Sequence, residues 1–119
     1  MKKLTIVFFS MFLSVSSSYL IAGEKMMNVI ITFDVKNGKV KSFLDIMDDV
    51  KENLVKVDGC EGVKIYNDVD DASVFTLVET WKSRELHSSH ISKVVESGDW
   101  DVIASHLEKD PVSSYFKKI

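Results

Sequence analysis

The length, composition and charge of the chain restrict the kinds of protein it can be. It has 119 residues, of which 45% are hydrophobic and 28% charged, and one cysteine. Without Lys2 and Lys3, which belong to the segment described next, 13 of the 15 basic residues remain against 18 acidic ones, a net charge of −5. This balance does not favour nucleic acid or an anionic membrane as a partner, and a single cysteine excludes an internal disulfide framework.

Residues 1–23 are predicted to be a secretory signal peptide. Lys2 and Lys3 precede an uncharged apolar run at 4–13 (LTIVFFSMFL), and a serine-rich stretch leads to Ala22 and Gly23, where cleavage would fit. A competing interpretation is an uncleaved membrane anchor over residues 4–22, which are roughly long enough to span a bilayer. A third is a start at Met26 or Met27. The first interpretation predicts a periplasmic or secreted protein with no stable membrane insertion after processing.

Residues 27–119 are predicted to form one domain that begins with a strand and a helix. Apolar residues alternate over 29–35 (VIITFDV), which is typical of a strand. After a break at KNG, apolar residues recur at helical spacing from Val40 to Val57, which predicts an amphipathic helix of about five turns. The turn VDGCEG ends this helix, and we expect Cys60 to pack as a small apolar residue where the next strand begins.

The rest of the chain is predicted to form two strands, a helix in two pieces and a final strand. VKIYNDV (63–69) and VFTLVETW (74–81) are rich in strand formers and flank an acidic connection. After Trp81 the apolar period changes from two to about 3.6, with Ser83 as helix N-cap and Glu85 in the first turn. A short helix around Trp100 and a closing strand, VSSYF at 112–116, complete the order.

This order of elements is the βαββαβ pattern of ferredoxin-like α+β domains. Two helices can cover only one face of a four-stranded sheet, and the other face is also partly apolar. The third strand, for example, places Val74 and Val78 opposite Phe75 and Leu77. The simplest cover for the second face is the same sheet of another copy, which predicts a homodimer.

Four candidate site residues lie where the third strand meets the following helix. Strand alternation places Glu79 on the same side as Trp81, among apolar residues, so its carboxylate needs a partner or a wet strand end. Helical spacing puts His87 and His90 within the apolar arc, facing the sheet or the cleft beside it. Each histidine can be a hydrogen-bonded core residue or can line a pocket.

Metal and nucleotide sites are disfavoured. His87 and His90 are spaced i, i+3 and Glu79 could supply a third ligand, but the sequence has no second cysteine and no further ligand pattern. It also lacks phosphate loops, nucleophile elbows and zinc-finger spacings. We therefore expect no metal site.

Over residues 27–119 the chain resembles the antibiotic biosynthesis monooxygenase domain, a group of small dimeric proteins that includes quinol monooxygenases. The resemblance rests on the turn Gly59-Cys60-x-Gly62, a strand, an acidic hairpin, then Glu79-x-Trp81 and a histidine, His90, nine residues after the tryptophan. It implies a ferredoxin-like sandwich that forms a dimeric α/β barrel through its sheets, with a pocket between sheet and helices.

The resemblance also implies a chemistry. Family members with known activity often oxidise reduced aromatic rings with dioxygen and no bound cofactor. A deprotonated phenol can pass an electron to oxygen itself, so the protein supplies only a base and a dry, aromatic cavity. By this resemblance His90 would be the base, Glu79 an orienting carboxylate and Trp81 the contact with the ring. We also expect His87 and Trp100 to contact the substrate. The expected function is a cofactor-independent monooxygenase for a small quinol-like substrate.

Other functions stay open at this point. The same pocket would serve a non-catalytic module that binds a small aromatic or apolar ligand, or an isomerase or degrader of a small signalling metabolite, because a fold does not choose its chemistry. Haem degradation is disfavoured. Relatives that degrade haem use a tryptophan in the second helix and a later histidine, where this chain has His90-Ile91 and, near the histidine position, Trp100.

Overall fold

The computed structural model describes residues 26–119, which form a four-stranded antiparallel sheet with helices on one face. The strands are β1 (Met27–Asp34), β2 (Cys60–Asn67), β3 (Val74–Trp81) and β4 (Val112–Phe116), and the helices are α1 (Val40–Asn53), α2 (Arg84–Ser97) and α3 (Asp99–Ala104). Their spatial order in the sheet is β2-β3-β1-β4. The predicted ferredoxin-like fold is therefore confirmed.

The predicted signal peptide at 1–23 and the alternative anchor at 4–22 lie outside the described residues. Within 26–119, none of the helices combines the length and the apolar character needed to cross a bilayer.

The core lies between the covered face of the sheet and the helices, in two clusters of buried side chains. The first is built around three phenylalanines, and the ring of Phe43 in α1 packs 5.1 Å from that of Phe75 in β3. Trp100 of α3 packs against this first cluster. The second cluster lies at the other end of the sheet and contains Val29, Leu54, Cys60 and Trp81. The candidate site residues belong to this second end.

Helix α1 ends earlier than the sequence predicts. Its α-helical part stops at Asn53, and the chain then tightens into a 3-10 turn over Leu54–Lys56. Such turns are common at helix ends, where they satisfy backbone groups that have no partner in the α-helical pattern. Leu54 still packs in the second cluster, so the apolar period continues beyond the α-helix. Cys60 is buried at the first position of β2, which confirms its predicted place.

The turn between α1 and β2 requires a glycine. Gly59 has a φ of +94°, in the left-handed region that other residues rarely adopt. A Cβ at this position would also lie 2.7 Å from Cδ1 of Leu86, near the start of α2. This close approach sets the position of α2 against the turn that leads into β2.

The second face of the sheet carries no helix of the described chain and is partly apolar, as predicted. Ile30 pairs with Val78 at its centre. Tyr66, Val112 and Phe116 lie on the same face, with exposed fractions of 55%, 66% and 49%. These apolar side chains lie on the two edge strands, β2 and β4.

Candidate functional site

Glu79 and Trp81 lie on the covered face at the end of β3, as strand alternation predicts. Trp81 is completely buried and Glu79 is only 4% exposed. The indole Nε1–H of Trp81 donates a hydrogen bond to Glu79 Oε1 over 2.7 Å. A buried carboxylate needs such a donor. Within the described chain its partner is the neighbouring indole and not the lysine or arginine that the sequence left as one possibility.

Helix α2 brings both of its histidines to the same strand end. Ser83 caps the helix by accepting a hydrogen bond from the backbone N–H of Leu86, which confirms the predicted N-cap. His87 is buried, and its ring centroid lies 5.3 Å from that of Trp81. His90, one turn further, is half-buried with its ring 5.4 Å from the same indole. Four of the five residues predicted for the site therefore meet around Trp81.

Trp100 does not join this group. It is half-buried in α3 and packs against the core cluster that contains Phe33, Phe43 and Phe75. Its predicted contact with a substrate stays a prediction, and its place in the fold is that of a core residue.

Tyr115 is a member of the site that the sequence did not reveal. Its phenol oxygen lies 2.7 Å from Nδ1 of His87, and the two rings meet edge to face with centroids 5.3 Å apart. Tyr115 pairs with Val29 across the β1–β4 register, which places it on the covered face. The alternation in VSSYF shows which residues share a face, but only the register shows which face that is.

The second ring nitrogen of His87 has no hydrogen-bond partner within residues 26–119. Nε2 lies 3.8 Å from Glu79 Oε1, which is too long for a hydrogen bond. Leaving a buried polar atom without a partner costs on the order of 1–3 kcal/mol. A polar group that entered between His87 and Glu79 would therefore gain a hydrogen bond that the protein does not itself supply.

Burial controls the charge states of these groups. It raises the pKa of the Glu79 carboxyl, although the hydrogen bond from Trp81 opposes this effect. It lowers the pKa of His87, and the nearby charge of His90 lowers it further. The pKa of His90 is lowered by burial first and by the charge of Lys93 second. Both imidazoles are therefore neutral at pH 7, the form that accepts a proton.

Tyr115 also lines an open groove of about 650 Å³ at the β4 edge of the sheet. The guanidinium of Arg84 lies over the Tyr115 ring, 4.3 Å from its centroid. A continuous series of contacts thus leads from this groove into the interior, from Arg84 through Tyr115 and His87 to Glu79.

The sequence profile of a family described as antibiotic biosynthesis monooxygenase matches residues 26–93. The chain belongs to the antibiotic biosynthesis monooxygenase family. The matched part contains Glu79, Trp81, His87 and His90, whereas Trp100 and Tyr115 lie beyond it. The resemblance inferred from the Gly-Cys-x-Gly turn and the Glu-x-Trp strand is thereby confirmed.

Solved structures share the fold of this antibiotic biosynthesis monooxygenase domain. A conserved protein of Methanosarcina mazei Go1 gives a TM-score of 0.71 at 21% identity, with 85% of this chain and 99% of that one covered. A candidate antibiotic biosynthesis monooxygenase of Nitrosomonas europaea gives 0.72 at 20% identity, with coverages of 81% and 92%. Rv0793 of Mycobacterium tuberculosis gives 0.70 at 16%, with coverages of 80% and 96%. No curated protein matches the sequence. At these identities the structures establish the fold alone.

Two further observations on this antibiotic biosynthesis monooxygenase domain concern metal binding and the reactivity of its thiol. In the part of the chain that the structure describes, no three His, Cys, Asp or Glu side chains are grouped so that they could hold a metal ion. Burial raises the pKa of the Cys60 thiol. A hydrogen bond with the Gly62 backbone opposes this shift, and the charges of Glu79 and Glu61 add to it. Cys60 is therefore a protonated packing residue and a poor nucleophile.

Proposed function

We propose that the protein is a cofactor-independent monooxygenase that oxidises a small quinol-like aromatic substrate with dioxygen. One observation carries this proposal: two neutral imidazoles, His87 and His90, pack against the buried Trp81 indole beside the buried carboxylate of Glu79. This cluster combines a base with an aromatic environment that excludes water. Those are the two features that oxidation of a phenolate by dioxygen requires of a protein.

The positions of the two histidines favour His90 as the base. His87 is almost fully buried, and its Nδ1 is engaged by Tyr115. His90 is half-buried, and its ring forms no hydrogen bond within residues 26–119, so we assign to it the proton of the substrate hydroxyl. Glu79 lies beside His87, where its negative charge stabilises positive charge that develops on the imidazoles. In this proposal Glu79 and His87 position and support His90.

The reaction follows from the proton that His90 accepts. Once the phenol is deprotonated, it passes one electron to dioxygen, and the resulting radical and superoxide join in a new carbon–oxygen bond. Protonated His90 returns its proton to the distal oxygen. That oxygen leaves as water together with the hydrogen of the attacked carbon, and a carbonyl remains at that carbon. One dioxygen is consumed for each substrate, with one atom in the product and one in water.

Oxygen uptake by the purified, metal-stripped protein with a panel of hydroquinones tests the proposal. We expect uptake above that in buffer, and a loss of about 100-fold or more in His90→Ala, since a general base contributes at least this much. Ser89→Ala, at the adjacent exposed position of α2, is the matched control and should retain the parent rate. Uptake equal to buffer, or an unchanged rate in His90→Ala, would contradict the proposal.

A second candidate function is a non-catalytic module that binds a small aromatic or apolar ligand. The observation in its favour is the groove of about 650 Å³, which is lined by Arg84 and Tyr115 and not by His90. A ligand that raises the melting temperature equally in the parent and in His90→Ala, without oxygen uptake in either, would favour the module over the enzyme.

We also propose that the protein is a homodimer in which the open faces of two sheets pack together. Ile30 and Val78 form the apolar centre of this face, and Phe116 is 49% exposed at its edge. Light scattering should give twice the mass of the processed chain. Val78→Lys should shift the protein toward monomer, whereas Val69→Lys should not, because Val69 is 97% exposed in the β2–β3 connection. A monomeric parent protein would disprove this arrangement.

A further inference from the structure

The groove at the β4 edge has basic and hydroxyl groups in its lining and no carboxylate. Its lining consists of Met27, Arg84, Ser113, Ser114, Tyr115 and Lys117. Acidic residues outnumber basic ones in the chain beyond residue 23, by 18 to 13. The lining of the groove has the opposite balance, with two cations and no acid. Local positive potential of this kind attracts an anion.

Arg84 is held in the groove by an aromatic ring. Its guanidinium carbon lies 4.3 Å from the centroid of the Tyr115 ring, which is a cation–π contact. Over residues 26–119, neither Arg84 nor Lys117 forms a salt bridge with a carboxylate. Stacking fixes the plane of the guanidinium while leaving the N–H groups at its edge available. A fixed guanidinium edge is the geometry that binds a carboxylate through two parallel hydrogen bonds.

The walls of the groove offer contacts to a small ring. The groove, of about 650 Å³, is broadly open to solvent, so a ligand in it would keep one side exposed. Met27 and Tyr115 supply the apolar contacts that an aromatic ring requires, and Ser113, which shares the covered face of β4 with Tyr115, supplies a further polar group. Tyr115 also contacts His87 through its phenol oxygen, so a ligand in the groove lies next to the buried polar cluster.

We propose that this groove binds the carboxylate of a small aromatic acid, with Arg84 as the principal anion-binding residue and Lys117 as the second. The ligand class is then a small aromatic acid, and this assignment of the groove does not rest on the proposed monooxygenase function, because His90 is not among the lining residues. Arg84 is a specificity-determining residue, because it selects the acid over its neutral analogues. The binding of the acid itself does not depend on catalysis.

Calorimetric titration without oxygen tests this assignment, using gentisate, which is a hydroquinone with a carboxylate, and its neutral methyl ester. We expect gentisate to bind at least tenfold more tightly than the ester. Arg84→Gln should abolish this preference, Arg84→Lys should retain part of it, and Lys117→Gln should reduce it. The matched control Lys51→Gln removes an exposed cation from α1 and should leave the preference unchanged. Circular dichroism establishes that each variant is folded.

Three results would overturn the assignment. They are equal affinity for gentisate and its ester, an unchanged preference in Arg84→Gln, and displacement of gentisate by an equal concentration of inorganic phosphate, which would indicate a general anion site. Because binding is measured without oxygen, failure of the oxygen-uptake experiment does not affect this test. Conversely, oxygen uptake with plain hydroquinone and no preference for the acid would remove the groove assignment and leave the proposed function in place.

Discussion

The phenol oxygen of Tyr115 lies 2.7 Å from Nδ1 of His87 and so joins the last strand of the sheet to helix α2. The other nitrogen of His87 has no hydrogen-bond partner in the described chain, which makes this contact the single polar anchor of the imidazole. Within residues 26–119, the position of the His87 ring beside Glu79 and Trp81 therefore depends on a strand that lies outside the part matched by the family profile.

Replacement of Tyr115 by phenylalanine should destabilise the protein by about 1–3 kcal/mol, because Nδ1 of the buried His87 then lacks a partner. Urea denaturation measures the difference. Ser89→Ala, at an exposed position of α2, is the control, and it should change stability by less than about 0.5 kcal/mol. Equal effects of the two substitutions would show that the Tyr115–His87 contact contributes nothing to stability.

Replacement of Glu79 by glutamine should raise the free energy of unfolding more at pH 7 than at pH 4.5. Folding raises the pKa of this carboxyl above its ordinary value of 4.5, so the folded state holds the proton more strongly than the unfolded state. The free energy of unfolding contributed by Glu79 therefore falls as pH rises above that value. Glutamine removes this loss and keeps an oxygen that can accept from Trp81. Urea denaturation at both pH values, with exposed Glu96→Gln as control, tests the difference; parallel pH profiles of parent and Glu79→Gln would contradict it.

His87 and His90 should make the protein less stable as pH falls, whereas the stability contributed by Glu79 falls as pH rises. Burial lowers the pKa of both His87 and His90 below the ordinary 6.5, so between that value and their folded pKa the unfolded state binds more protons. Their contribution to stability is complete above pH 6.5 and falls as pH drops below it. NMR titration should show both rings protonating below pH 6.5, and titration of either ring above that value would contradict the burial argument.

Alanine at Gly59 should be much more damaging than alanine at Gly38. Both glycines have left-handed backbones, with φ of +94° and +86°, so both variants lose about 1–2 kcal/mol from the conformational penalty. Only Gly59 also meets Leu86, at 2.7 Å, while nothing lies within 4 Å of a Cβ at Gly38. Cβ of Leu86 also lies 2.8 Å from this position, so the double variant Gly59→Ala/Leu86→Ala should restore only part of the loss. Thermal unfolding that ranks the two single variants equally would show that α2 shifts without cost.

We propose that residues 1–23 are removed on export to the periplasm or the exterior. Sequencing of the purified mature protein should then begin at Glu24, after the small pair Ala22 and Gly23. A chain that begins at Met1 and fractionates with membranes would support the anchor interpretation, and a chain that begins at Met26 or Met27 would support a later start.

The parts of the fold that follow local periodicity were predictable from the sequence. In β3 the alternation of TLVETW correctly placed Glu79 with Trp81 on the covered side, and Ser83 marked the start of α2. The strand at 112–116 has the predicted bounds. Helical spacing also turned His87 and His90 toward the sheet. Each of these predictions depends only on residues within a few positions of one another.

The contacts that complete the site were not predictable, because they depend on register and on packing between distant elements. Tyr115 meets His87 only because β4 pairs with β1 so that Tyr115 lies opposite Val29. Trp100 has the helical spacing of a core residue or of a pocket residue, and only the position of α3 assigns it to the Phe43 cluster. The hydrogen bond from the Trp81 indole to the Glu79 carboxylate requires particular side-chain rotamers, which periodicity does not determine.

Because Cys60 is buried, the rate at which its thiol is labelled reports local opening of the fold. Cys60 is the only thiol in the sequence, and it packs with Trp81 beside the turn that holds Gly59 against α2. A thiol reagent can reach it only when this end of the domain opens locally. The rate of labelling therefore measures how often solvent enters the neighbourhood of Trp81 and Glu79. That frequency can be followed in the unmodified protein, with and without a bound ligand.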